Sequence, residues 1–89
     1  MTVSFEIPED MDAAGMRRLR PDLERLADSG DDVELDLSRV DFIDSSGIGG
    51  IVFLYKRLRA SGHDLRLCRV RAQPRKLFHN LRMTHLLAG

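Results

Sequence analysis

Apolar residues in this chain switch repeatedly between two spacings, every second residue and every third or fourth. The first spacing is typical of half-buried strands, and the second is typical of helices with one buried face. The pattern predicts strands at about 3–7, 33–37 and 65–70, and helices at about 12–29, 46–61 and from Gln73 onward. Strands that alternate with helices through short connections form right-handed βαβ units. The sequence therefore predicts an α/β fold.

The first predicted helix contains a proline, so it could be one helix or two. Asp12 can cap its N-terminus, and the apolar stripe from Met16 to Leu26 keeps its phase across Pro21. We expect one helix with a kink at Pro21, because the proline cannot donate a hydrogen bond to the carbonyl of Arg17. A new helix that begins at Pro21 is the alternative.

Other local signals predict where elements end and which side chains are buried. Gly62 is expected to end the second helix in a left-handed conformation. The third strand is mostly apolar, which predicts a central position in the sheet. Outside the strands and the first two helices, six apolar side chains are expected to face the core: Val40, Phe42, Ile43, Leu77, Phe78 and Leu81.

Length and composition predict one small domain over residues 1–89. The chain has 89 residues, of which 43% are hydrophobic and 31% are charged, an ordinary composition for a packed protein. Cys68 is the only cysteine, so it has no partner for an internal disulfide. The sequence shows neither an apolar run of bilayer length nor a signal-peptide pattern. We therefore expect a cytoplasmic location without membrane insertion.

The chain has no net charge, but its charges are divided along the sequence. Residues 1–46 hold thirteen acidic and five basic residues, whereas residues 47–89 hold one acidic and nine basic residues. The division indicates either a charge gradient that partners sense or ion pairs between the two halves. A basic surface for nucleic acid is not expected, since Arg66 and Arg69 fall on opposite faces of the predicted strand.

Three glycines lie where a strand leads into a helix, which is a place where phosphates often bind: Gly47, Gly49 and Gly50. A dinucleotide motif that begins at Gly47 would need glycine at Val52, and the Gly-Lys-Ser/Thr of a phosphate-binding loop does not occur. The cluster therefore does not predict a nucleotide site, and no cofactor is expected.

The sequence contains no recognisable catalytic or metal-binding set. Ser45 has no obvious activating base, and the three histidines do not fall at triad or ligand spacing. An acid and base pair formed by Asp41 and Asp44 is less favoured than a capping role for Asp44 at a helix N-terminus. We therefore expect neither an enzyme nor a metal protein.

Phe53 does not fit the buried stripe of the second helix. At 100° per residue it lies opposite the centre of that stripe, on the side of Gly49 and Lys56. It should face water or a binding partner. Isolated exposed apolar residues are common, so the position alone does not decide between these two roles.

One group of residues is characteristic of a known family. The strand Val33-Glu34-Leu35-Asp36-Leu37-Ser38 is followed by the run Val40-Asp41-Phe42-Ile43-Asp44-Ser45-Ser46-Gly47-Ile48-Gly49, and later by Gly62, Leu65 and Leu77-Phe78. Over residues 11–87 the chain resembles a STAS domain, in particular the anti-sigma-factor antagonists of bacteria. The resemblance implies a small mixed β-sheet with helices mainly on one face. Family members usually have an additional first strand, so we expect an exposed sheet edge and a possible homodimer through it.

The resemblance also implies a function and a site. In that family a serine/threonine kinase, which is itself the anti-sigma factor, phosphorylates the first serine of the motif, and a PP2C-type phosphatase removes the phosphate. By position the acceptor is Ser45, with Ser46 as second choice. The expected partner-binding residues are Asp44, Ser46, Gly47, Ile48, Gly49 and Phe53. The unphosphorylated protein would bind the kinase and so release a sigma factor.

Two other functions are compatible with such a domain. One is a regulatory subunit on the ATPase of a lipid ABC transporter, although those subunits resemble Asp-Thr-Ala-Gly where this chain has Ser45 and Ser46. The other is a scaffold component of a larger sensory or secretion-regulating assembly. The transporter subunit would need no phosphate on Ser45, and the scaffold component would be distinguished by a complex of high mass on a sizing column.

Overall fold

The computed structural model describes residues 1–88, and Gly89, the last residue of the expected domain, lies outside the described residues. The strands are β1 (Thr2–Glu6), β2 (Asp32–Asp36) and β3 (Leu65–Cys68). The helices are α1 (Ala13–Ala27), α2 (Ser45–Ala60) and α3 (Ala72–Asn80), followed by a 3-10 turn at Thr84–Leu86. The strands and helices occur in the predicted order, which confirms the α/β fold.

The sheet places β2 between β1 and β3, so the prediction of a central third strand is wrong. Val33 pairs with Val3 on one side and with Leu65 on the other. The apolar residues Leu65 and Leu67 of β3 are buried in the core on one face of the sheet, and residues near the C-terminus pair with the outer edge of the strand. The N–H of Ala88 donates to the carbonyl of Leu67 at 2.8 Å, beside a bridge between Leu67 and Leu87.

The three described strands run parallel, whereas the resemblance implies a mixed sheet. The reason is the connectivity of this part of the chain. A helix joins each strand to the next, and a helical crossover returns the chain to the end of the sheet from which it started. The parallel arrangement therefore follows from the alternation of strands and helices within residues 1–88.

The core lies on one face of the sheet, as expected. The side chains of Val33 and Leu35 are at most 1% exposed, while Glu34 between them faces the other side of β2 and is half-buried. Helices cover the apolar face with side chains that are at most 4% exposed: Leu19, Leu23, Ile51, Leu54, Leu58 and Phe78. The opposite face is polar, with Ser4 and Arg66 exposed.

The predicted cap of the first helix, its continuity and the end of the second helix are confirmed, while the kink at Pro21 stays a prediction. Asp12 caps α1, which continues through Pro21 as one helix. Gly62, with φ +83°, follows the end of α2 in the left-handed region. None of the helices in the described part of the chain has the length and apolar character that crossing a bilayer requires.

Two side chains that were predicted to be buried are exposed. Phe42 is 45% exposed and Leu81 is 47% exposed, so the prediction is wrong for both. Phe42 lies in an irregular loop between the buried side chains of Val40 and Ile43. Its backbone N–H and carbonyl are hydrogen-bonded to the loop after β1. Leu81 follows the last residue of α3, where helical spacing no longer sets its direction; Met83 and Leu86 pack against the core instead.

Ion pairs join the acidic and the basic halves of the chain. They lie at the surface, where solvent screens ion pairs, so each contributes little to stability. Among residues 1–88, arginine pairs between the halves are Arg57–Asp28 at 2.6 Å, Arg69–Asp36 at 2.9 Å and Arg71–Asp41 at 3.1 Å. Some acidic residues of the first half are therefore neutralised by arginines of the second half within the molecule.

Candidate functional site

The loops that follow β1 and β2 lie side by side where these strands end. The N–H of Met11 donates to the carbonyl of Phe42 at 3.1 Å, and the N–H of Asp44 donates to the carbonyl of Met11 at 3.3 Å. The Asp10 carboxylate accepts from the N–H groups of Asp41, at 2.8 Å, and Phe42, at 3.3 Å. These bonds hold the segment immediately before α2 in one position.

A side chain of α3 binds the same segment from the other side. The N–H of Ile43 donates to Gln73 Oε1 at 3.0 Å, and Gln73 Nε2 donates to the carbonyl of Ile43 at 3.1 Å. The Ile43 side chain is 1% exposed, so it is fixed by packing as well. Sequence reasoning missed Gln73, because a partner 30 residues away leaves no local signal.

At the end of β2, Asp36 and Ser38 are hydrogen-bonded to each other where the chain enters the loop before α2. The pKa of Asp36 lies below its ordinary value, mainly because the N–H of Ser38 donates to its carboxylate, at 2.8 Å. The Ser38 side chain and then the guanidinium of Arg69, with Nε 2.9 Å from Asp36 Oδ2, lower this pKa further. The Asp-Leu-Ser sequence therefore forms a closed turn at the end of β2.

Asp44 is the N-cap of α2, as the sequence indicates. Its Oδ1 accepts from the N–H of Ser46 at 2.8 Å and from the N–H of Gly47 at 3.3 Å, with the backbone of Asp44 extended. These N–H groups belong to the first turn of a helix, where no intrahelical acceptor exists. A capping carboxylate has a structural role, which agrees with the preference for capping over acid-base chemistry.

Ser45 and Ser46 are the first two residues of α2, and both are exposed. Ser45 can therefore be reached from outside at the positive end of the helix dipole. Two of the three histidines are engaged elsewhere: the ring of His85 packs edge-on against Tyr55, and His63 Nδ1 lies 3.5 Å from Asp32 Oδ1. Within residues 1–88, no three His, Cys, Asp or Glu side chains are grouped as metal ligands.

The two glycines of the motif lie in different surroundings. Gly47 is buried, and a Cβ there would lie 2.4 Å from the carbonyl oxygen of Met11 and 2.7 Å from Cγ2 of Ile43. Gly49 is exposed, and a Cβ there would meet nothing within 4 Å. Gly47 is thus required by packing, whereas Gly49 leaves a bare patch of helix surface. Ile48, between them, is half-buried against the core.

Phe53 is 37% exposed, as its helical position predicts. The guanidinium of Arg57 lies 5.5 Å from the centre of its ring, within the range of a cation–π contact. Ser46, Gly49 and Phe53 recur at three and four residues, so they share one face of α2. The structure therefore brings together, on a single helix face, three of the residues that were predicted to bind a partner.

The chain is thus a small α/β domain in which Asp44 caps a helix that begins with Ser45. The chain belongs to the STAS domain family, whose model matches residues 2–88. No curated protein sequence matches the chain.

Solved structures share the fold at low sequence identity. The anti-sigma factor antagonist SpoIIAA in its unphosphorylated form has a TM-score of 0.81 and 19% identity, with 98% of this chain and 77% of that chain covered. A sulfate transporter family protein from Wolinella succinogenes has a TM-score of 0.77 and 16% identity, with 97% and 75% covered. The Bacillus cell fate determinant SpoIIAA in its phosphorylated form has a TM-score of 0.71 and 21% identity, with 98% and 80% covered.

Proposed function

We propose that this protein is a non-enzymatic binding module whose docking surface is switched by phosphorylation of Ser45. In its free form it binds an anti-sigma factor that is also a serine/threonine kinase, and so releases a sigma factor. A PP2C-type phosphatase restores the free form. The observation that supports this function most is the exposed Ser45 at the rigidly held first turn of α2.

A phosphate on Ser45 is compatible with the fold. The helix dipole and the first-turn N–H groups favour an anion there by about 0.3–1 kcal/mol. The carboxylates of Asp44 and Asp41 oppose it by a comparable amount, and Asp41 is exposed and paired with Arg71. Because Ser45 is exposed, a phosphate there would stay hydrated. The net effect on the free energy of unfolding is therefore expected to be small.

The same phosphate is incompatible with a partner that covers the site. It adds a charge of about −1.5 to −2, which the partner would have to desolvate. An unpaired charge buried in an interface costs several kcal/mol, and about 1.4 kcal/mol is tenfold in affinity. Phosphorylation thus weakens docking by more than about a hundredfold while the domain stays folded.

The comparisons support this proposal only through the fold and the family. SpoIIAA is described as an anti-sigma factor antagonist, in unphosphorylated and phosphorylated forms. The transfer to this chain depends on its own Asp44-Ser45-Ser46-Gly47 motif. A homodimer through the outer edge of β1 stays a prediction.

A second candidate is a regulatory domain that docks on a membrane transporter. The structural similarity to a sulfate transporter family protein favours it. Such docking would not need the hydroxyl of Ser45. A transporter-type interaction that is insensitive to substitution of Ser45 would therefore support this candidate over the first.

The test uses the purified protein, ATP and an anti-sigma factor kinase taken from the same genome. Mass spectrometry should place the phosphate on Ser45. Ser45→Ala should bind the kinase without being phosphorylated. Ser45→Asp should keep the circular dichroism spectrum and the Tm but lose binding.

Ser29→Asp is the matched control, because it adds the same charge at an exposed turn after α1. It should bind like the unmodified protein. Tight binding of the kinase by Ser45→Asp would contradict the proposed switch.

A further inference from the structure

An open groove of about 940 Å³ runs between α1 and α2. Its lining residues recur at three and four positions on each helix, so each helix contributes one row. The lining residues are Ala13, Met16, Arg17, Arg20, Leu23 and Glu24 of α1, and Ser46, Gly49, Gly50 and Phe53 of α2. The groove therefore begins beside the phosphorylation motif and extends along both helices.

Side chains project little from the α2 side of the groove, because two of its four lining residues are glycines. A Cβ at Gly50 would lie 2.2 Å from Cε of Met16, and a Cβ at Gly49 would meet nothing within 4 Å. Phe53 stands beyond them and keeps 37% of its surface exposed. Met16 therefore covers Gly50 and forms an apolar floor, while the bare backbone at Gly49 is open to close approach by another chain.

The row on α1 has an excess of positive charge. The guanidinium groups of Arg18 and Arg25 are in ion pairs. Arg17 and Arg20 line the groove, are exposed, and form no ion pair within residues 1–88. Glu24 is the only acidic residue in the lining, at the end away from Ser46. The part of the groove nearest the motif is therefore complementary to carboxylates.

We propose that this groove binds an acidic amphipathic helix of the partner protein. Apolar side chains of that helix pack on Met16 and Phe53, and its carboxylates face Arg17 and Arg20. The lining on α1 spans residues 13–24, or about 17 Å at a helical rise of 1.5 Å, which suits about three turns of helix.

This inference rests on the proposed function for the identity of the partner, since the groove begins next to Ser45. A phosphate on Ser45 would add negative charge at the end of the groove where the carboxylates dock. The switch then acts by charge repulsion in addition to the desolvation of the phosphate.

The test uses three synthetic peptides with one apolar row and polar faces of Glu, Gln or Lys. Their affinities for the full chain are measured by fluorescence anisotropy, and their position is mapped by amide shifts in ¹⁵N NMR spectra. The Glu peptide should bind at least about tenfold more tightly than the Lys peptide. Its largest shifts should fall on Gly49, Gly50 and Phe53.

Variants assign the preference to the two arginines. The double variant Arg17→Gln, Arg20→Gln should lose the preference for the Glu peptide over the Lys peptide, with an unchanged Tm. Arg25→Gln, on the same helix but outside the groove, should keep the preference. Equal binding of all three peptides, or shifts confined to the sheet, would overturn the proposed groove.

The outcome separates this inference from the proposed function. If the Glu peptide binds in the groove but Ser45→Asp still binds the kinase, the groove stands and the phosphorylation switch is wrong. If Ser45→Asp loses the kinase but no peptide prefers the groove, the switch stands and the acidic helix is wrong.

Discussion

The helices α1 and α2 begin in the same way, and the comparison separates structural residues from chemical ones. In each helix an aspartate caps the first turn and a glycine follows three residues later. Asp12 Oδ1 accepts from the N–H of Gly15 at 2.8 Å, and Asp44 Oδ1 accepts from the N–H of Gly47 at 3.3 Å. One local design therefore serves both strand-to-helix connections.

The two glycines are needed for the same reason. A Cβ at Gly15 would lie 2.1 Å from the carbonyl oxygen of Asp10, and a Cβ at Gly47 would lie 2.4 Å from that of Met11. Both glycines thus allow the start of a helix to approach the loop after β1. An Asp-x-x-Gly spacing is thus common to both helix starts.

The two helix starts differ in the residues between the cap and the glycine. In α1 these residues are Ala13 and Ala14, and in α2 they are Ser45 and Ser46. Since α1 is capped without hydroxyl groups, the serines of α2 are not required to begin a helix. The exposed hydroxyl of Ser45 is thus available for chemistry, which is why the proposed switch is placed there and not at Ala13.

The largest effect is expected from filling the space at the glycines. Gly47→Ala should lower the free energy of unfolding by about 1–3 kcal/mol, because a backbone carbonyl of the adjoining loop must move. Gly15→Ala should lower it by a similar amount. Urea unfolding followed by circular dichroism measures both. A neutral Gly47→Ala would show that the two helix starts are not equivalent in packing.

Removal of either cap should have the next largest effect. Asp44→Ala and Asp12→Ala should each lower the free energy of unfolding by about 0.5–2 kcal/mol, because N–H groups of a first turn lose their acceptor. Asp44→Asn is the matched control, since its side-chain oxygen can still accept, and it should stay close to the unmodified protein. Thermal unfolding of these variants compares the two caps directly. A loss with Asp44→Asn equal to that with Asp44→Ala would argue against capping.

The exposed glycine should respond in the opposite direction. Gly49→Ala should raise the free energy of unfolding by up to about 1 kcal/mol, because alanine favours the helix and its Cβ meets no neighbour. If Gly49 lies under a docked partner, the same variant should bind the kinase more weakly. Urea unfolding and a binding titration on one sample test both effects. A more stable variant with unchanged binding would remove Gly49 from the proposed interface.

The smallest effect concerns two carboxylates, that of Glu9 in the loop after β1 and that of Asp36 at the end of β2. The pKa of Glu9 is lowered mainly by the hydrogen bond from Arg18, and that of Asp36 mainly by Ser38. A carboxyl with a lower pKa in the folded state stabilises the fold above its unfolded pKa of about 4. This stabilisation is lost as the pH falls from about 4 through the folded pKa.

The unfolding free energy of Asp36→Asn should therefore fall less steeply below about pH 4 than that of the unmodified protein. Glu9→Gln should change the slope less, because the Glu9 side chain is 38% exposed and that of Asp36 only 16%. Urea unfolding at a series of acidic pH values measures the slopes. A larger change with Glu9→Gln would reverse this ranking of the two loops.

The sequence by itself determined the order of strands and helices and the capping by Asp12 and Asp44. These features depend on apolar spacing and on contacts within about four residues, so a linear pattern records them. The exposure of Phe53 was predictable for the same reason.

Only the tertiary structure decided which strand is central, why Gly47 is needed, how Gln73 holds Ile43, and that Phe42 faces solvent. Each of these depends on elements some 30 residues apart along the chain that pack against one another. The groove between α1 and α2 is of the same kind. Neither helix has a groove alone, because the space and its charge arise only where the two rows of side chains face each other.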